Sequence, residues 1–178
     1  MKQPILYYGN PVLRKKAEPI KEITDEIRQI AQDLIDTCRP NNGAGLAAPQ
    51  IGRSVRMFLL YLATHDKDGA VGEEVPYFFI NPELSSPGSN TLIGAEGCLS
   101  IPEFHAEVER PDEIHVKAMD LEGNTFEKTL YGWEAREVMH ENDHLNGVLY
   151  VDRIPAKERR SKGIDDILAK IKKKYAKK

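Results

Sequence analysis

The side chains best suited to chemistry lie in one short motif, His140-Glu141-Asn142-Asp143-His144. On a helix, at about 100° per residue, His140 and His144 fall on one face, where two imidazoles one turn apart can hold one divalent metal. Glu141 follows the first histidine, so its carboxylate can reach a metal-bound water and act as general base or acid. The motif predicts a metal-dependent hydrolytic site, with two surface histidines on a charged helix as the alternative.

A catalytic metal needs a third protein ligand and one open position. The metzincin pattern places a histidine six residues beyond the second, but Tyr150 stands there. Gluzincins use a glutamate from a downstream helix, and the one glutamate after Glu141 is Glu158, in the charged tail. The unpaired Cys98, in a turn-like segment, is the better candidate, because a metal lowers the pKa of a thiol and holds it as thiolate. Without the histidine motif, Cys98 would be interpreted as a small buried hydrophobe.

A glycine-rich segment upstream offers a second chemical group. Small residues from Gly43 to Gly52 allow the backbone to pass close to another group, which suits a turn or a ligand wall. A phosphate-binding loop is rejected because the Lys-Ser/Thr ending is missing. If Gln50 is buried beside a pocket, its amide can donate a hydrogen bond to an oxyanion.

Length and composition describe one ordinary globular domain. A chain of 178 residues buries about 70% of its unfolded surface, and 40% hydrophobic with 30% charged residues is typical of a soluble protein. The first residues contain no long apolar run, so we expect neither a signal peptide nor a membrane span. Two cysteines, Cys38 and Cys98, argue against a disulfide framework and favour a reducing, cytoplasmic location.

The net charge of −3 hides an asymmetry. Residues 156–178 contain ten Lys or Arg and three acidic residues, a balance of +7, which leaves −10 for the remainder. A solvated amphipathic helix over about 156–176 explains this balance. The alternative is that the helix docks on a polyanion.

The elements that position the motifs follow from hydrophobic spacing. Thr24 is a plausible helix cap, and the apolar face that follows it ends with Cys38, which we assign to the core. A second helix is predicted from Gly132 to Gly147. Short strands are predicted at 55–62, 77–80, 106–109, 114–119 and 125–130, a loop at 65–74, a turn at 85–90 and an extended segment at 148–154. Hairpin-sized strands favour an α+β fold with largely antiparallel sheets around the central motif-bearing helix, between an N-terminal and a C-terminal helix.

Three segments together resemble the signature motifs of the peptide deformylase family. They are Gly43-Ala44-Gly45-Leu46-Ala47-Ala48-Pro49-Gln50, Glu96-Gly97-Cys98-Leu99-Ser100 and His140-Glu141-Asn142-Asp143-His144-Leu145-Asn146-Gly147. They occur in the family's order, and the similarity extends over most of the chain. We therefore expect residues 1–178 to form a single catalytic domain with a basic C-terminal helix.

The resemblance implies removal of the N-formyl group from the first methionine of new polypeptides, with release of formate. It implies that Cys98, His140 and His144 bind one divalent metal, natively Fe²⁺, with Zn²⁺, Ni²⁺ or Co²⁺ also able to occupy the site. Glu141 would take a proton from the attacking water and return it to the departing amine. The Gln50 side chain and the Leu99 backbone N–H would stabilise the oxyanion, and Gly45 would hydrogen-bond the substrate.

Some positions differ from the usual family pattern. Ala44 replaces the more common Ile or Val, and Trp133, Arg136 and Glu137 stand on the helix face that lines the methionine pocket in the family. We assign these four residues to substrate binding. Arg136 and Glu137 are expected to pair with each other or with the first substrate residues.

Two other functions remain open at this stage. One is a zinc peptidase of the His-Glu-x-x-His type, which would need a third ligand other than Cys98. The other is an inactive metal-binding relative, although a structural site needs neither Glu141 nor Gln50. The expected partners are formyl-methionyl nascent peptides and, through the basic C-terminal helix, the ribosome. We expect no membrane association and no stable DNA binding.

Overall fold

The computed structural model describes residues 1–65, 71–86 and 88–176. Helix α1 spans Asp25–Cys38, α2 spans Gly132–Leu145, α3 spans Ala156–Ser161 and α4 spans Ile164–Tyr175. Short 3-10 helices occupy Pro11–Arg14, Arg39–Asn41, Ala48–Ile51 and Tyr150–Arg153. The predicted cap of α1 is confirmed, because the Thr24 side chain accepts a hydrogen bond from the Ile27 N–H.

Among the described residues, seven strands form two antiparallel sheets. They are β1 Gly45–Ala47, β2 Met57–His65, β3 Val71–Ser85, β4 Thr91–Cys98, β5 Ile101–Pro111, β6 Glu113–Met119 and β7 Thr125–Tyr131. The first sheet has the order β1-β2-β3-β6-β7, and β4 and β5 form a separate hairpin. The predicted α+β class with antiparallel sheets is therefore confirmed.

The five-stranded sheet is covered on both faces by helices. Side chains alternate along a strand, and on β2 Phe58 and Leu60 pack with α2 whereas Met57 and Leu59 pack with α1. This double coverage explains why most of β2, from Met57 to Ala63, is an apolar run in the sequence. Cys38, the last residue of α1, is fully buried, which confirms its assignment to the core.

A third core cluster joins the β4–β5 hairpin to the C-terminal helices. Leu149, Tyr150, Val151 and Ile154 pack there against the buried face of α4, whose buried residues are Ile164, Leu168 and Ile171. The prediction of one helix over 156–176 is wrong. The chain leaves helical geometry at Gly163, with φ +66°, and α3 buries none of its residues, so the apolar periodicity begins only with α4.

Strand bounds were the weakest part of the prediction. Each strand that we predicted exists, but β3 and β5 extend well beyond 77–80 and 106–109, and β1 and β4 were not predicted. The prediction of an extended segment at 148–154 is wrong, because Tyr150–Arg153 forms a 3-10 turn. In this turn the Asp152 carboxylate accepts a hydrogen bond from the Leu149 N–H. The predicted loop at 65–74 lies outside the described residues at 66–70, and the prediction is wrong on either side, where position 65 ends β2 and residues 71–74 belong to β3. The predicted turn at 85–90 includes position 87, which also lies outside them.

The close packing after α2 predicts that alanine substitutions at two glycines will lower the free energy of unfolding by different amounts. A Cβ at Gly147, where φ is +70°, would lie 2.6 Å from the Arg14 carbonyl oxygen, whereas a Cβ at Gly123, where φ is +85°, meets nothing within 4 Å. Alanine at either position incurs a left-handed backbone penalty of about 1–2 kcal/mol. We expect Gly147→Ala to lower the free energy of unfolding clearly more than Gly123→Ala in urea denaturation. Equal losses would contradict the close approach at Gly147.

Candidate active site

Three metal-ligating side chains meet at the junction of α2 and the β4–β5 hairpin. One ligand atom from each of Cys98, His140 and His144 lies within 4.8 Å of the others, and the Cys98 Sγ is 3.3 Å from the His144 Nε2. Both histidines are buried on α2, one turn apart, and burial lowers the pKa of His144 so that its imidazole stays neutral. Neutral imidazole and thiolate are the forms that bind metal.

Local strand geometry presents Cys98 to the helix. It is the last residue of β4 and pairs with Ile101, whereas Gly97 pairs with His105. The ladder register therefore shifts between Gly97 and Cys98, an irregularity that redirects a side chain at the end of a strand. The other cysteine, Cys38, donates its thiol to the Gly43 carbonyl, and burial raises its pKa to about 12. Of the two thiols, only Cys98 stands with the histidines.

A buried carboxylate orients the first histidine. Glu96 accepts hydrogen bonds from Arg110 Nε at 2.8 Å, Arg110 Nη2 at 2.9 Å and His140 Nδ1 at 2.8 Å. Burial by itself would raise the pKa of Glu96, but the hydrogen bonds from Arg110 and His140 lower it to about 2. Because Nδ1 of His140 is held by Glu96, its Nε2 is left for a metal.

The same network continues to the surface. Arg110 Nη1 donates to Asp143 on α2 at 2.6 Å, and Arg153 Nε donates to the same carboxylate at 3.0 Å. The side chains of Glu96, Arg110 and Asp143 are almost fully buried, whereas Arg153 is half exposed. The network thus joins β4, β5, α2 and the segment after α2.

Arg136 belongs to this network rather than to a substrate pocket. Its guanidinium donates to Glu96 at 2.8 Å and to the carbonyls of Val108 and Leu92, at 2.8 and 2.7 Å. Arg136 is 5% exposed and does not line the cavity at the metal ligands. Its predicted substrate contact, and its predicted pairing with Glu137, are therefore wrong, because the buried Glu96 binds it instead.

Gln50 points its amide group at the thiol of Cys98. Its Oε1 accepts from the Ala47 N–H at 2.8 Å, and its Nε2 donates to Ser100 Oγ at 3.1 Å and to Cys98 Sγ at 3.5 Å. The bond from Ala47 fixes which side of the amide carries oxygen. A buried donor is thereby directed into the site.

Glu141 is a buried carboxylate, and one of its oxygens lacks a hydrogen-bond partner within the described residues. Its Oε2 has no hydrogen-bond partner among the described residues. Burial raises its pKa to about 8, a value suited to accepting and returning a proton near neutral pH. Gly45 lies against it, because a Cβ on Gly45 would be 2.8 Å from Glu141 Oε1 and 2.4 Å from Leu60 Cδ2. Only glycine allows β1 to pass this close.

A cavity of about 380 Å³ opens onto these groups. Leu99, in the turn between β4 and β5, lines it, as do Ala44, Trp133 and Glu137. The cavity is also lined by Gly45, Gln50, Cys98, His140 and Glu141. His144 does not line it but lies beside Cys98, so the structure brings together all the site residues predicted from the sequence except Arg136.

The chain matches the family model described as polypeptide deformylase over residues 2–160. The chain belongs to the polypeptide deformylase family. It is 44% identical to a peptide deformylase of Afipia carboxidovorans over 140 residues, which are 79% of each protein. The chain is also 36% identical in sequence to the Thermus thermophilus peptide deformylase. The crystal structure of that protein superposes on this one with a TM-score of 0.84, covering 98% of this chain and 99% of that one. A deformylase of Acinetobacter baumannii with Met-Ala-Ser bound is 33% identical, with a TM-score of 0.78 over 86% and 99% of the two chains.

Members of this family hydrolyse the N-formyl group of nascent polypeptides, and the chain is an enzyme of that kind. This confirms the main prediction over the zinc peptidase and the inactive relative. The family implies a single divalent metal, and the Cys98, His140 and His144 cluster is a possible site for it. Within the described ranges, no helix has both the length and the apolar character needed to cross a membrane.

Sequence reasoning assigned no role to Glu96, Arg110 or Asp143. Glu96 and Asp143 lie inside the quoted deformylase motifs, but nothing in a single sequence reports that they are buried. The available signal was strand alternation, since Val108 and Arg110 share the buried face of β5. A charged residue on a buried face requires a partner, and here that partner is Glu96.

We expect Glu96→Gln to weaken both the fold and metal binding. The substitution leaves the buried Arg110 and Arg136 without their shared anion, which should lower the free energy of unfolding by about 3 kcal/mol. It also loosens the His140 ring, so metal affinity should fall by about 10–100-fold in a competitive chelator titration. The control is Glu109→Gln on the same hairpin, where an exposed carboxylate bonds Thr91. Unchanged metal affinity in Glu96→Gln would rule out the orienting role.

Proposed function

We propose that Cys98, His140 and His144 hold one divalent metal, Fe²⁺ in the native enzyme, and that the remaining site residues carry out deformylation around it. The observation that carries this proposal is the convergence of three ligand atoms within 4.8 Å beside the buried carboxylate of Glu141. Thiolate and imidazole are donors that suit iron, zinc and nickel, so Zn²⁺, Ni²⁺ or Co²⁺ can also occupy the site.

The donor set fits a catalytic metal. Three protein ligands leave a position open for water, and the cavity gives access to that position. When bound there, the metal acts as a Lewis acid that lowers the pKa of water and polarises the formyl oxygen.

The chain's own residues then perform the proton transfers. Glu141 accepts a proton from the water that attacks the formyl carbon. Glu141 then returns that proton to the departing amine, so that formate and a free N-terminus are released. The Gly45 backbone, held beside Glu141, hydrogen-bonds the peptide next to the formyl group.

We assign two hydrogen-bond donors to the charge that develops on the formyl oxygen. Gln50 presents its amide N–H beside Cys98, and Leu99 contributes its backbone N–H from the following turn. Each donor of this kind contributes about 2.7–4 kcal/mol to lowering the barrier.

The substrate is a formyl-methionyl nascent peptide. Ala44, Trp133 and Glu137 line the cavity beside the ligands, and we assign them to contacts with the first substrate side chains. The related Acinetobacter baumannii deformylase, described with Met-Ala-Ser bound, supports a peptide ligand of this length.

The decisive experiment is formate release from formyl-Met-Ala-Ser by anaerobically purified protein, with metal content measured on the same samples. We expect wild type to turn over and to contain iron. Cys98→Ala should lose activity together with its metal, whereas Glu141→Ala should lose activity and keep its metal. Cys38→Ala, at the buried thiol away from the ligands, is the matched control for Cys98. Full metal content in Cys98→Ala would overturn the ligand assignment.

We further propose that the enzyme is cytoplasmic, that residues 1–178 act as a single domain, and that α4 contacts ribosomal RNA. The helix lies beyond the residues matched by the family model, and its exposed face carries Lys170, Lys172, Lys173 and Lys174. Lys174 already pairs with Glu103, but Lys170 and Lys173 have no ion-pair partner in the part of the chain described here. Free lysines of this kind bind phosphate by releasing counterions.

Charge removal tests the ribosome contact better than truncation. Deleting residues after Lys170 would remove Ile171, which is buried in the third core cluster. We expect the double variant Lys170→Gln/Lys173→Gln to bind ribosomes more weakly, with the salt dependence reduced by about one unit of slope per lysine. Turnover of formyl-Met-Ala-Ser should not change. Lys117→Gln/Lys128→Gln, on β6 and β7, is the control, and equal binding by both double variants would exclude the contact through α4.

A further inference from the structure

A second cavity of about 150 Å³ adjoins the catalytic one at the start of α2. The two cavities share Ala44, Trp133 and Glu137 as lining residues. The second is also lined by Tyr61 and Ala63 on β2, by Glu74 on β3 and by Glu134 on α2. A peptide that enters the catalytic cavity from this side must therefore pass three carboxylates.

Two of these carboxylates lack a counterion. Glu74 pairs with Arg39 at 2.8 Å. Glu134 and Glu137 are half-buried, and neither has an ion pair or hydrogen bond within residues 1–65, 71–86 and 88–176. Burial raises the pKa of Glu137, and the more distant positive charges of Arg136 and Arg110 only partly offset that effect.

The aromatic walls add to the attraction for a cation. Trp133 stands between the two cavities with 60% of its surface exposed. Tyr61 also lines the second cavity, and the Arg39 guanidinium lies 3.7 Å from the centre of its ring. An exposed indole face beside unpaired carboxylates attracts a second cationic group in the same way.

The spacing along α2 indicates which part of a substrate reaches this cavity. The buried Oε2 of Glu141, which has no partner among the described residues, marks where the catalytic cavity receives the reacting group. Glu134 lies seven residues before Glu141, about 10.5 Å along the helix axis. An extended peptide advances about 3.3 Å per residue, so its second and third side chains lie at this distance from the formyl carbon.

We propose that the cavity lined by Glu134, Glu137 and Trp133 selects formyl-methionyl peptides with a lysine or arginine at the second or third residue. This inference rests on the proposed function and adds a substrate preference to it. The cationic side chain pairs with the two free carboxylates and lies against the indole of Trp133.

The test compares kcat/KM for formyl-Met-Ala-Ser with that for peptides in which Lys or Glu replaces Ala or Ser. A partly exposed ion pair gives a preference of up to about fivefold. We expect a lysine peptide to exceed the alanine peptide by about three- to fivefold, through a lower KM, with the glutamate peptide below both. The preference should shrink when salt is raised to about 0.5 M, where exposed charges are screened.

Substitutions of the two carboxylates test whether the preference for a lysine peptide arises from the cavity. Glu134→Gln and Glu137→Gln should each reduce the ratio of lysine to alanine peptide, whereas Glu122→Gln, which removes an exposed charge from the turn between β6 and β7, should not. Equal kcat/KM for lysine and alanine peptides in wild type, or a ratio unchanged in both cavity variants, would overturn the proposal. Absence of turnover for every peptide would instead overturn the proposed function.

Discussion

The buried carboxylate of Glu96 is the interaction on which the arrangement of the site depends. It accepts hydrogen bonds from Arg110, Arg136 and His140, and so connects β4, β5 and α2. A buried carboxylate without these donors would be strongly unfavourable, and so would the buried arginines without it. The network is therefore stable only when the hairpin that carries Cys98 is docked on the helix that carries the histidines. The hydrogen bonds that compensate the buried charge of Glu96 therefore also hold Cys98 close to His140 and His144.

Apolar packing determines where that docking takes place. The five-stranded sheet is held between α1 and α2, and its edge strand β1 lies beside the carboxylate of Glu141. Because Gly45 has no side chain, β1 can approach both Leu60 and Glu141, and the 3-10 turn that follows directs Gln50 at Cys98. Gln50 and Glu141 are thus positioned by a packed sheet edge, whereas the three residues that we propose as metal ligands are positioned by an ionic network.

The sequence allowed the chemistry to be predicted more fully than the geometry. Cys98, His140, Glu141 and Gln50 have residue types that suggest their roles and lie in short motifs, so they could be found without a structure. The wrong interpretation of Arg136 has a physical reason: a helical face can be deduced from spacing, but its partner Glu96 lies 40 positions away on another element. The break at Gly163 was missed because charge, rather than apolar spacing, dominates that segment. Strand ends were missed because they depend on pairing between distant segments.

The position of Arg136 has a further consequence for the cavity. Had its guanidinium faced the cavity, it would have neutralised Glu137 one position along the same helix. Glu96 and the carbonyls of Leu92 and Val108 bind Arg136 instead. The edge of the cavity therefore presents the carboxyl groups of Glu134 and Glu137 without an arginine bound to them. The buried network around the candidate ligands thus also determines which side chains face the incoming peptide, so the proposed substrate preference and the arrangement of the site depend on the same interaction.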